Sequence, residues 1–234
     1  MIIRAVDEYN EKGHLIYAEN FVGAFVRGKT REEALAKFQQ EIRQYTRWLG
    51  KVVEVSEVNI VQELYSDLNV QDADSDVLFE SEKTPLTLEE YTQLKQLVLK
   101  SARDFQTMYE SIPDKNGTVL PQRKTFYGNV PRTAEEMYQH TKSVNEYYFA
   151  EIEVDADNET DIYTCRVKGF ELLESKPDFL HNTVYDGSYG EKWSLRKMCR
   201  RFVWHDRIHA KAMYKMACRL CGPENVKNTF GFER

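Results

Sequence analysis

WSLRKMCRRFVWHDRIHAKAMYKMACRL, residues 193–220, repeats its apolar side chains at the spacing of a helix. At about 100° per residue, Met198, Phe202, Ala212 and Met216 fall on one face, and His205 and His209 fall inside the same stripe. Lys197, Arg200, Arg207, Lys211 and Lys215 point the other way, so the helix reads as amphipathic with a polar pair set in its apolar side. Residues four apart on a helix have Cβ atoms roughly 5–6 Å apart. Two imidazoles so placed can grip one metal ion.

Three further helices lead up to this one. Thr87, with Glu90 three residues on, is a capping box, and its stripe of Tyr91, Leu94, Val98, Ala102, Phe105, Tyr109 and Ile112 runs until Pro113 stops it. Thr133 and Glu136 open residues 133–154, whose inward side is marked by Met137, Thr141, Val144, Tyr148 and Ile152; His140 faces the same way. Residues 161–174 form the third, with Ile162, Cys165, Leu172 and Leu173 toward a core. The connections 114–130 and 178–192 are long and rich in turn residues. Four helices with such connections predict an antiparallel four-helix bundle over residues 85–234. Long loops inside a compact domain are often functional, which marks Phe126, Tyr127 and Gly128 as candidate lining of a cleft.

The first sixty residues read differently. Strand-like runs at 2–9, 15–18 and 22–26 are broken by turn residues, and Thr30 with Glu33 caps a helix over 31–49 whose stripe is Ala34, Phe38, Ile42, Tyr45 and Leu49. Gly50 ends that helix, and KVVEVSEV at 51–58 alternates as a further strand. The expectation is a two-domain α+β chain. A small ββ(β)αβ unit occupies residues 1–62, an acidic linker 63–84 (most clearly DLNVQDADSDVLFESEK, 67–83), and the bundle the rest.

Bulk composition narrows the classes. Of 234 residues, 41% are hydrophobic and 30% charged, with no apolar run as long as a membrane span, as in an ordinary globular protein. The opening MIIRAVDEYNEKGH has neither the basic start nor the apolar middle of a signal peptide, so a cytoplasmic location is expected. Cys165, Cys199, Cys218 and Cys221 all fall in the last third and read as free thiols of a reducing compartment. A net charge of −6 disfavours nucleic acid as a partner.

His140, His205 and His209 thus point from two helices at one interior spot. Three nitrogen ligands with a further position open are what catalytic zinc sites use, and imidazole also suits nickel, cobalt or iron. A lone buried histidine is more often a hydrogen-bonded core residue, but two in one stripe would cost on the order of 1–3 kcal/mol for each missing partner, and a shared metal removes that cost. His14 and His181 are expected to face solvent. The run His205-Asp206-Arg207-Ile208-His209 nearly matches H-E-x-x-H, yet a shorter aspartate at the side of the stripe replaces the general base, so Asp206 is assigned to support or surface pairing.

Two resemblances add to this reading. YAENFVGAFVRGKTREEALAKFQQEIRQYTRWL, residues 17–49, resembles the small domain of HicB-like antitoxins; with no helix-turn-helix or ribbon-helix-helix pattern beside it, the resemblance implies partner binding or oligomerisation. RTAEEMYQHTKSVNEYY (132–148) and WSLRKMCRRFVWHDRIHAKAM (193–213) resemble the DinB-like (YfiT-like) four-helix metalloproteins, over roughly residues 86–220. That resemblance implies His140, His205 and His209 as ligands of a divalent metal, zinc or nickel first, with iron, cobalt and manganese as alternatives. It also implies activation of water or of a low-molecular-weight thiol such as bacillithiol or mycothiol. Tyr127 and Tyr148 are the expected substrate contacts, and a homodimer is expected through sheet edges or bundle faces. The competing expectation is a non-catalytic regulatory or stress-response protein, in which the small unit recognises a partner and the metal only stabilises the bundle.

Overall fold

Alternation along the first strands decides which side chains meet. The computed structural model describes residues 1–125 and 127–233; Phe126, one of the candidate cleft residues, lies outside them. β1 (Ile2–Asn10) and β2 (Gly13–Ala18) pair antiparallel through Asn10↔Gly13, β3 (Phe25–Gly28) adds antiparallel to β2, and β4 (Glu57–Tyr65) lies parallel to β1. The order β3-β2-β1-β4 makes a mixed four-stranded sheet. Because successive side chains alternate between faces, Ile3, Ala5, Ile16, Ala18 and Val26 go to one side and Val6, Leu15 and Tyr17 to the other.

The first face packs on α1 (Arg31–Leu35) and α2 (Phe38–Trp48), burying Ala34, Phe38, Ile42 and Tyr45. The single helix expected over 31–49 is therefore two. Ala36 and Lys37 keep right-handed helical dihedrals, so the chain bends there and the apolar stripe carries through. Gly50 ends α2 with φ +67°, as a C′ glycine should. The strand expected at 51–58 starts later. Its register starts at Ile2↔Glu57, which leaves the alternating residues before it outside the ladder and Val52 97% exposed.

Residues 67–83, read from sequence as a linker, are docked over the sheet's second face. Val70, Val77 and Phe79 pack there with Tyr17 and with Trp204 from the last helix. The segment that reads as a solvated connection instead supplies a counter-charge and a backbone acceptor to the basic side of α6. The carboxylate of Glu82 accepts from Arg200 Nε at 2.5 Å, and the carbonyl of Asp76 accepts from Lys197 Nζ at 2.6 Å.

Four long helices fill the second half: α3 (Leu88–Ser111), α4 (Ala134–Ala150), α5 (Ile162–Glu174) and α6 (Leu195–Cys221). The capping boxes at Thr87 and Thr133 form as expected, and α3 and α4 each pack against both α5 and α6. Trp193 lies outside α6, paired with Tyr185 in a short ribbon, and Ser194 is the N-cap. Leu172 faces outward, 45% exposed, and its expected place in the core is taken by Arg166 and Phe170. The larger correction concerns the basic side of α6. Lys197, Arg200 and Arg207 are buried, because that side meets the first half of the chain and not water. Among the described residues no helix is long and apolar enough to cross a membrane.

Candidate metal centre

α4 contributes His140 and α6 contributes His205 and His209, one turn apart. Their ligating atoms all lie within 4.8 Å of one another. His140 Nε2 and His205 Nε2 are 3.2 Å apart, and the three ring centroids are separated by 4.5 to 5.1 Å. Metal–nitrogen bonds of 2.0–2.1 Å in a tetrahedron put two ligand nitrogens ~3.3 Å apart, so this pair already has the spacing a shared ion requires. The cluster consists of imidazoles only.

Burial holds these rings neutral, the form that binds a metal. His205 is 8% exposed and His209 9%. Desolvation pushes His209 down to about 3, with His140 adding to the effect. The same desolvation, reinforced by His209, His140, Arg201 and Arg166, places His205 well below the usual imidazole range, and burial lowers His140 as well. His205 Nδ1 is buried without a hydrogen-bond partner. The three rings thus form a set of uncharged donors, two of whose Nε2 atoms face each other at the spacing of a shared ion, which fits a metal better than a purely packed core. Ring orientation comes from aromatic contacts: Tyr148 meets His205 edge-on at 6.1 Å and Phe202 at 5.1 Å.

The histidines floor a cavity of about 1180 Å³. Both expected substrate contacts line it. Tyr127, 45% exposed, stacks on His140 at 5.9 Å with the planes 20° apart, while Tyr148 is buried deeper in the wall. Burial drives the Tyr148 hydroxyl above the ordinary tyrosine range, so it stays protonated.

The sequence reading missed the opposite wall. Phe25 and Arg27 from β3, Asp72 to Ser75 from the docked acidic segment, and Arg201 and Trp204 from α6 complete the cavity. Arg201 donates from Nη1 to the Ser75 carbonyl at 2.8 Å and lies 4.6 Å over the Trp204 ring. Only Trp204 carried a local signal, by preceding His205 in the chain; the others come from segments whose meeting no periodicity encodes.

Asp206 and His14 also depart from expectation. Asp206 is fully buried and accepts from Arg166 Nη1 at 2.6 Å and Nη2 at 3.3 Å. Burial raises its pKa while Arg166 opposes the rise. Held in this way it is no base for the histidine site, and it is no surface residue either. His14 faces Asp7, with Nδ1 3.0 Å from the carboxylate, in place of open solvent. His181 is exposed as expected, its side chain at 70%.

Set against known protein families, curated proteins and solved structures, the chain matches none. The case for a function therefore rests on the geometry of the site itself.

Proposed function

We propose that the chain is a metal-dependent enzyme of the DinB-like type, with α3 to α6 as its bundle. In this reading His140, His205 and His209 hold a divalent ion, zinc or nickel first. The observation that carries it is the convergence of three neutral imidazoles, two of them 3.2 Å apart at Nε2, on the floor of a large open cavity. A divalent ion there supplies a Lewis acid that makes a water or a low-molecular-weight thiol a better nucleophile.

The chain's own residues do the rest. Tyr127 covers His140 from the solvent side and Tyr148 presents a protonated hydroxyl in the wall, so a substrate would be gripped between two phenols. Three protein donors leave a coordination position free, which favours catalysis over a structural role. The HicB-like reading of the first half becomes, on this account, a unit that shapes the cavity wall, since Phe25 and Arg27 lie in it. That placement favours the enzyme over a freestanding partner-binding module.

Elemental analysis of the purified chain tests the reading. About one transition metal per chain, lost in the His205→Ala, His209→Ala variant, is the expected result. Protein loaded in turn with zinc, nickel, cobalt, iron and manganese that retains none of them overturns it. Thiol-transfer and hydrolysis assays on the metal-loaded chain then separate the two nucleophiles.

A further inference from the structure

The two ends of the cavity differ in charge. Near the start of α6 the cation is Arg201, and Asp74 and Glu191 sit close enough to influence it. Further along α6, Lys211 and Lys215 line the wall together with Arg27 from β3 and Arg123 from the 114–130 connection. The carboxylates facing these four cations are few. Asp72 lies 3.5 Å from Arg123, and Glu41 lies 4.0 Å from Lys211 but is already held by Arg207 at 2.5 Å. Arg27 gives its Nη1 to a neutral acceptor, the Gln71 carbonyl, at 3.1 Å. Burial and the charge of Arg123 both weaken its hold on its proton. Cations packed with too few counter-charges repel one another, and an anion entering among them relieves that repulsion.

Position along the helix adds a length scale. From His209 to Lys215 is six residues, or ~9 Å of rise at 1.5 Å per residue. A molecule spanning that interval is small. The positive field also reaches outward: an adjoining groove of about 520 Å³ shares Arg27 and Lys211 and adds Lys12 and Lys29, while its Lys37 is paired with Glu33 at 2.9 Å and its Glu41 with Arg207. Such a field raises the encounter rate of anions in particular.

We propose that the three-histidine site acts on a small anionic molecule, whose carboxylate or phosphate is held by Arg27, Arg123, Lys211 and Lys215 while its reacting end lies against His140, His205 and His209. This deepens the reading of the site as a metal-dependent enzyme and rests on it for the reacting end. It also gives the first half of the chain a function, because Arg27 belongs to the small sheet.

Calorimetric titration of the full chain, metal-free, with mercaptosuccinate and with its neutral counterpart 1-thioglycerol tests the proposal. Mercaptosuccinate binds, its affinity falls with added salt, and thioglycerol binds at least about tenfold more weakly. Arg123→Gln and Lys215→Gln, both at exposed positions, and Arg27→Gln each weaken mercaptosuccinate by about tenfold, a loss typical of one charged contact. The visible spectrum of cobalt added to the same variants stays that of the unaltered chain. No binding of mercaptosuccinate, equal binding of thioglycerol, or unchanged affinity in Arg123→Gln and Lys215→Gln overturns the proposal. Failure of the metal reading shows separately, as the absence of a cobalt spectrum in the unaltered chain, while the metal-free titration still reports on the anion.

Discussion

The Nε2 atoms of His140 and His205 lie 3.2 Å apart, although 65 residues separate them in the chain. Neither ring is charged there, because burial disfavours the imidazolium form of both. That single distance joins α4 to α6 and turns two buried histidines into part of a three-donor set.

A ligand that binds only the folded chain stabilises it, so zinc or cobalt at about a hundredfold excess over Kd adds ~2.7 kcal/mol. In a chain of this size that raises Tm by about 5–10 °C. Thermal scanning with and without metal checks this. His209→Ala abolishes the rise, and a rise that persists in that variant would place the metal elsewhere.

Asp206 neighbours His205 in sequence but serves the core. Replacing it with Asn leaves the Arg166 guanidinium, fully buried and 4.1 Å over the Phe202 ring, without its counter-ion. Removing one partner of a buried ion pair typically costs ~3–5 kcal/mol. Urea unfolding of Asp206→Asn should show a loss of that order, and the double variant Arg166→Met, Asp206→Leu should recover much of it. A stable Asp206→Asn would contradict the structural assignment.

Glu8 on β1 is fully buried, accepting from the Ser75 hydroxyl and from Asp76 N at 3.2 Å. Desolvation by burial raises its pKa from 4.5 to about 7. With the folded value above the unfolded one, its contribution to stability is complete below about pH 4.5 and is lost as pH rises through 7. The difference is on the order of 3 kcal/mol at 1.36 kcal/mol per unit. Denaturation curves across pH 4 to 8 should show this decline, flattened in Glu8→Gln; an equal decline in that variant would assign it to other groups.

Gly23 has φ +81°, and a Cβ built there would sit 2.7 Å from Val203 Cβ and 2.8 Å from Trp204 N. The turn between β2 and β3 therefore lies directly on α6. Gly23→Ala should cost roughly 1–3 kcal/mol through overpacking, with about 1–2 kcal/mol more from the left-handed backbone. Chemical denaturation measures the loss. A silent substitution would mean that the first half does not rest on α6 in solution.

Local signals carried much of the architecture. The capping residues Thr30, Thr87 and Thr133 and the stripes behind them located helices to within a few residues, because each depends only on side chains within a turn or two of the backbone they stabilise. The inward direction of His140, His205 and His209 was legible for the same reason. The outer side of α6 was not. A run of lysines and arginines looks alike whether it meets water or a carboxylate, and here Glu41 and Glu82 come from segments more than a hundred residues away.

What the sequence determined by itself is the set of helices, an alternating small sheet and three histidines turned toward an interior, all consequences of period and capping. Tertiary structure alone decided that residues 67–83 cover the sheet and that Lys197, Arg200 and Arg207 on the basic side of α6 are buried. It also decided that Arg27 of the first half shares a cavity with the histidines. Burial and charge pairing depend on which distant segments meet, and side-chain spacing along one segment holds no information about its neighbour.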